Sequence, residues 1–236
     1  MQLATLLRGL GPLLAIGVLG ACAIGPAIKP PAPPPPAATL TVGSADDHGL
    51  YFMVPGQTLL LNLPSAYSSR PAILRVDGQY QDAVLFKATG LGRATVTGNE
   101  AMPPCTHECN IPAPLEIVVA VVSDLQLQQG LLIAAQDLVA SRDLGPLAVH
   151  LRTGQRFELS LVNRPGAPAW GRLTSYDSSI IVPEQPAVVS AGGIVGRFRA
   201  GNPGRTGVWA TGIDCPSANP CPQSPYAEFT FVVFAS

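Results

Sequence analysis

The side chains best equipped for chemistry are five cysteines and three histidines. Cys105, His107 and Cys109 stand as Cys-x-His-x-Cys, and two thiolates with an imidazole could ligate zinc or copper. A second pair, Cys215 and Cys221, occupies the matching place in the C-terminal half, but the residues between them include no histidine. Local bridges, Cys105 with Cys109 and Cys215 with Cys221, fit both pairs, each pinning a hairpin and contributing about 2 kcal/mol in the chain-entropy model. Because the cysteines recur and the histidine does not, disulfides are expected, with no metal and no other cofactor. Asp46, Asp47 and His48 could offer carboxylates to calcium, yet two adjacent acids fall short of the six or more oxygens that ion takes. Arg93 and Arg205 follow glycine at equivalent turns and should satisfy loop carbonyls, while His150, in an alternating strand, reads as structural or exposed. For catalysis the chain has no Gly-x-Ser-x-Gly elbow, no His-Glu-x-x-His and no P-loop, so an enzyme is not expected.

Charged residues make up 12% of the chain and the net charge is -1, with the 14 basic residues scattered, so no positive stripe exists for a phosphate backbone. Nucleic acid is excluded as a partner on that ground. The 24 glycines and 25 prolines punctuate the sequence too often for long helices and suit short strands joined by turns. The composition predicts an all-β protein.

Residues 1–21 carry one charge, Arg8, followed by the apolar run Gly9 to Ala21, the charged and apolar regions of a secretory signal. The run ends in Leu19-Gly20-Ala21-Cys22, which resembles the bacterial lipobox; that resemblance implies a lipid on Cys22 and an anchor in a bacterial membrane, inner or outer. Ordinary cleavage at Ala21-Cys22-Ala23, or an uncleaved anchor running to Ile28, are the competing readings. Setting Cys22 aside leaves an even four cysteines for an oxidising compartment. Residues 26–36 hold seven prolines and should form a polyproline II spacer of roughly 34 Å at about 3.1 Å per residue. Residues 22–44 are therefore expected to be a lipidated cysteine and a Pro-rich tether.

Downstream the chain repeats. Pro55-Gly56-Gln57 before the strand Thr58 to Leu63 matches Thr153-Gly154-Gln155 before Arg156 to Leu161, and Phe86-Lys87-Ala88 through Val96 matches Phe198-Arg199-Ala200 through Val208. A cysteine pair and a last apolar strand, Leu115 to Val122 or Tyr226 to Phe234, follow in both. Further strands are predicted at 51–54, 72–76, 83–88 and 94–97, and at 147–151, 169–173, 180–182, 194–200 and 207–210. Phe157, Leu159 and Leu161 should face the core while Arg156, Glu158 and Ser160 face water. Between the copies, Leu131, Leu132, Ala135, Leu138 and Val139 recur at helical spacing, predicting a short helix over 131–141 or, alternatively, an added edge strand.

Gly-Gln before a strand, the serine-rich segments Ser68-Ser69-Arg70-Pro71 and Ser175-Tyr176-Asp177-Ser178-Ser179, and Phe-x-Ala followed by Gly-x-Gly or Pro-Gly resemble bacterial immunoglobulin-like domains of cell-surface proteins. That resemblance implies two tandem immunoglobulin-like β-sandwich domains, over 45–122 and 147–236, joined by a linker over 123–146, with Trp170 as a core residue. A narrower resemblance is to chagasin-type inhibitors of papain-like cysteine proteases, carried by Asn163-Arg164-Pro165-Gly166-Ala167-Pro168-Ala169-Trp170 and Ala191-Gly192-Gly193. It implies a candidate binding loop of Asn163, Pro165, Gly166, Trp170, Gly192 and Gly193. The functional expectation is a membrane-anchored extracytoplasmic lipoprotein with a non-catalytic structural or binding role in the cell envelope, contacting the membrane through its lipid and an unidentified envelope or extracellular protein. Inhibition of a papain-like protease is the alternative.

Overall fold

Alternating side chains set the architecture before any contact is considered: in nearly every strand one residue parity is apolar. The computed structural model describes residues 34–35, 37–43, 48–99, 114–138, 147–165, 169–212 and 226–235. The expected signal peptide, Cys22, most of the tether, the cysteines 105, 109, 215 and 221, His107, Asp46, Asp47 and Gly166 lie outside the described residues. The chain is all-β; among the described residues there is one short α-helix, and no helix is long and apolar enough to cross a membrane.

The first repeat contributes β1 (Leu40–Val42), β2 (Gly49–Met53), β3 (Thr58–Leu61), β4 (Ser65–Ser68), β5 (Leu74–Gln79), β6 (Val84–Ala88), β7 (Gly92–Asn99) and β8 (Leu115–Val121). The second contributes β9 (Leu131–Ala134), β10 (Ala148–Arg152), β11 (Arg156–Val162), β12 (Trp170–Ser175), β13 (Ile181–Pro183), β14 (Val188–Ser190), β15 (Gly193–Ala200), β16 (Gly204–Gly212) and β17 (Tyr226–Phe234). One sheet of the first repeat runs β1-β3-β6-β5 and its counterpart in the second runs β9-β11-β15-β13, with β14 also on β15. The other sheet runs β2-β8-β7-β4 in the first and β10-β17-β16-β12 in the second. This is the strand order of an immunoglobulin sandwich, with β2 and β10 lying parallel to the last strand of their repeat, but β1 and β9 also lie parallel to β3 and β11, where that sandwich is antiparallel.

Gly-Gln is explained by the turn before β3 and β11. Gly56 and Gly154 adopt φ of 92° and 85°, which a side chain would resist. The following glutamine folds back: Gln57 Oε1 accepts the Val54 N–H and Gln155 Oε1 accepts the Arg152 N–H, both at 3.0 Å. The serine-rich segment is likewise a turn, in which the Asp177 carboxylate accepts Ser179 N–H at 2.8 Å and Ser179 O–H at 2.7 Å. Those bonds hold its pKa below the usual aspartate value.

The two repeats meet strand to strand. β2 and β10 pair in parallel, Gly49 with Ala148 and Leu50 with Val149, so their sheets merge into one of eight strands, β12-β16-β17-β10-β2-β8-β7-β4. Side-chain parity shows what lies on each face. Tyr51, Met53, Ile117, Val119 and Val121 belong to the core beneath β1, β3, β5 and β6, whereas Leu50, Ala120 and, packed beside them, Phe52, Val118 and Val122 belong to the core beneath β9, β11, β13 and β15. The two covering sheets thus lie on opposite faces of the shared sheet, and the repeats are related by an approximate twofold along the strand direction. Both junction strands are buried on both sides, and His150, only 8% exposed, stacks on Tyr51 with ring centroids 4.2 Å apart.

Of the two expectations for 131–141, the edge strand and not the helix is what the described residues 131–138 form. Leu131 and Ile133 alternate into the core as β9, an edge strand parallel to β11, and a single 3-10 turn follows over Ala135–Leu138. The helix, α1, lies earlier, over Asp124–Gln129, started by a capping box in which Ser123 Oγ accepts the Gln126 N–H and the Gln126 side chain accepts the Ser123 N–H. Phe157, Leu159 and Leu161 are buried as expected, and the opposite face carries ion pairs, Arg156 with Glu184 and Glu158 with Arg197, each at 3.0 Å.

Candidate functional site

Two surfaces of the second repeat gather residues able to act on a partner. The first is the loop end singled out in the sequence. Asn163, just past β11, donates its N–H to the Gly192 carbonyl and its Nδ2 to the Ala191 carbonyl, both at 3.0 Å, and its Oδ1 accepts the Trp170 N–H at 3.0 Å. Trp170 packs partly buried against the second core, and its Nε1 donates to the Val162 carbonyl at 3.3 Å. Gly193 sits at φ 148°, where a Cβ would collide with the Leu161 carbonyl oxygen. Asn163, Trp170, Gly192 and Gly193 are therefore together, while Pro165 is exposed beyond them. The polar groups of Asn163 are spent inside the protein, stitching the β11–β12 loop to the β14–β15 turn. What this end could present is a fixed backbone shape.

The second surface follows from strand parity on the outward side of β12, β16 and β17. In β16, Val208 and Ala210 are buried, so Trp209 points the other way. Tyr176, one residue past β12, places its Cδ2 where a Cβ on Gly207 would lie, 2.7 Å off, so only glycine at 207 admits the ring. The Tyr176 and Trp209 rings are 6.3 Å apart and inclined by 28°, and the Arg172 guanidinium stands 5.9 Å from the Trp209 centroid. Tyr226 completes the patch, its hydroxyl 3.0 Å from that of Tyr176 and donating to Glu228 Oε2 at 3.1 Å. The Tyr176 hydrogen bond, partial desolvation and the Glu228 charge push the Tyr226 hydroxyl well above the ordinary tyrosine pKa. Tyr176 and Tyr226 remain 57% and 58% exposed, which is unusual for neighbouring large aromatics. Sequence reasoning passed over this patch, although the alternation of Val208, Trp209 and Ala210 carried the signal.

The other flagged residues are placed plainly. Arg93 ion-pairs with Asp137 at 2.9 Å and also donates to the Asp137 carbonyl, so it holds the 3-10 turn against β7, and Arg205 is exposed. Among the described residues no group of three or more His, Cys, Asp or Glu side chains is placed to hold a metal ion.

No protein-family model matches the sequence, and no curated protein is similar to it. Solved structures similar in part include an S-layer protein, SbsC, at 13% identity and TM-score 0.26, covering 72% of this chain and 20% of that one, so the chain spans about a fifth of its length. The D00-D0 domain of intimin is similar at 12% identity and TM-score 0.24, with 78% and 96% covered. A copper nitrite reductase from Nitrosomonas europaea is similar at 10% identity and TM-score 0.26, with 83% and 93% covered. At these values the likeness says nothing about activity or partner, and the functional reading rests on the chain's own residues.

Proposed function

We propose that the protein is exported, is lipidated at Cys22, and serves as a non-catalytic binding or structural component of the bacterial envelope, with the outward face around Trp209 as its contact surface. The observation that carries this reading is that patch. Tyr, Trp and Arg are the residues that dominate binding energy at protein interfaces, and here Tyr176, Trp209, Tyr226 and Arg172 share one face of a rigid sheet. A signal sequence, lipobox and proline spacer at the amino terminus support delivery of that face outside the cytoplasm.

The test has two arms in cells expressing the full chain. Labelled fatty acid should be incorporated, and Cys22→Ser should abolish the label and membrane partitioning. Chemical cross-linking followed by mass spectrometry should recover an extracytoplasmic partner whose yield falls at least about 30-fold when Tyr176 and Trp209 are both changed to Ala, as expected for removal of interface anchors. An unlabelled wild-type chain, or an unchanged cross-link in the double variant, would remove the corresponding half of the proposal. Turnover of an envelope polymer by the purified protein, lost with a single substitution, would overturn its non-catalytic character.

A further inference from the structure

The junction between the repeats opens at one end. The β2–β10 ladder stops after Leu50–Val149, although β2 continues paired with β8 to Met53 and β10 with β17 to Arg152. A wedge of about 250 Å³ lies there, and its walls include Phe52, Gln57, His150, Arg152, Gln155 and Phe234. The Gly-Gln register makes Phe52 equivalent to His150, Val54 to Arg152 and Gln57 to Gln155. Both glutamines therefore reach the same space from opposite sides of the approximate twofold, and the second repeat has His150 and Arg152 where the first has Phe52 and Val54.

Hydrogen-bond accounting gives the wedge its sign. Each glutamine uses Oε1 to accept a backbone N–H, so its amide is oriented by chemistry with the Nε2 end left as a pure donor. Arg152 donates from one terminal nitrogen to the Thr39 carbonyl at 3.2 Å and lies 6.0 Å from the Phe234 ring centroid. Among the described residues no carboxylate forms an ion pair with Arg152, and none lines the wedge or the adjoining cleft on the other side of Arg152. Three donor groups, no acid and two phenyl walls make a site for an anion attached to an apolar body. A guanidinium takes a carboxylate or phosphate through two parallel bonds, and a wedge of this volume admits only a small molecule.

We propose that the wedge between β2 and β10 binds a small carboxylate with an apolar body, its carboxylate on Arg152 and the Gln57 and Gln155 amides and its body between Phe52 and Phe234. This stands apart from the anchor and from the contact surface around Trp209. The test uses the mature chain, from residue 22 with Cys22→Ser, and follows ¹H–¹⁵N spectra during titration with benzoate, benzyl alcohol and inorganic phosphate. Benzoate should shift the Arg152 Nε and the Gln57 and Gln155 side-chain signals saturably. Benzyl alcohol, which lacks the charge, and phosphate, which lacks the ring, should each bind at least about tenfold more weakly. Arg152→Gln should weaken benzoate at least about tenfold and Arg152→Lys less, with unchanged tryptophan fluorescence reporting that the fold is intact; if Arg152→Gln unfolds, Phe234→Leu serves as the second variant, with the same expected loss. No shift with any probe up to about 10 mM, equal binding of benzyl alcohol or phosphate, or shifts confined to residues away from the wedge would overturn the proposal.

Discussion

Leu50 belongs to the first repeat in sequence and to the second in packing: it lies on β2, is 0% exposed, and is part of the core formed with Leu131, Ile133, Phe157 and Phe231. Changing it to Ala removes a fully buried isobutyl group between a sheet that cannot shift and a core that can collapse only partly, which costs about 3 kcal/mol within the usual range of 2–5. For a chain of this size that corresponds to a fall of roughly 6–12 °C in melting temperature. The readout is favourable because both tryptophans, Trp170 and Trp209, are in the second repeat. Leu50→Ala should lower the transition seen by tryptophan fluorescence and that seen by far-ultraviolet circular dichroism by the same amount, since one continuous sheet carries both repeats. Leu59→Ala, a fully buried change in the other core, should do the same. If Leu50→Ala leaves the tryptophan-monitored transition in place, or if the two probes separate in the wild type, the reasoning from the shared sheet is refuted.

Asn163→Ala removes two side-chain bonds, one donated to the Ala191 carbonyl of the β14–β15 turn and one accepted from the Trp170 N–H at the start of β12. It should cost about 1–3 kcal/mol by urea denaturation, with faster hydrogen exchange at the Trp170 amide. Gly193→Ala should be destabilising by about 1–3 kcal/mol or more, because the residue sits at φ 148° with a carbonyl where the methyl would go; a wild-type urea midpoint would show the backbone there to be otherwise. In an alkaline spectrophotometric titration, Tyr226 should ionise above the ordinary tyrosine value, because its bond to Tyr176, partial desolvation and the Glu228 carboxylate favour the protonated form. Tyr226→Phe should therefore remove only absorbance that rises above the ordinary tyrosine value, and a loss at or below that value would refute the Tyr226–Tyr176 hydrogen bond.

Strands with a strictly alternating or wholly apolar sequence were legible within two or three residues: β11 and β17 are where Arg156 to Leu161 and Tyr226 to Phe234 placed them. The elements that escaped are those whose residues never leave water or are very short. β14 is exposed at all three positions, β4 alternates only between exposed and half-buried, and β1 has three residues, so hydrophobic periodicity had nothing to register. Around 131–138 the residues serve two periods at once, and tertiary pairing with β11 chose the strand. The capping box at Ser123 and Gln126 was readable and marked the helix that does form. At the loop end, the asparagine and glycines noted in the sequence lie together, and only coordinates show that Asn163 spends its bonds internally. The β2–β10 junction left little trace in the sequence, since pairing between equivalent strands of two repeats is written in neither alone; its one clue was that β2 is apolar on both parities.

Equivalent strands side by side around a twofold axis are what two identical subunits make when they dimerise through a sheet edge. Cut between 122 and 147, either half would bare an unpaired row of N–H and C=O groups together with Leu50 and Phe52 or Val149 and His150, the kind of margin that recruits another chain. Covalent linkage supplies the mate at once and at high local concentration. The two repeats are thus held as two subunits of such a dimer would be, each shielding the other's open edge.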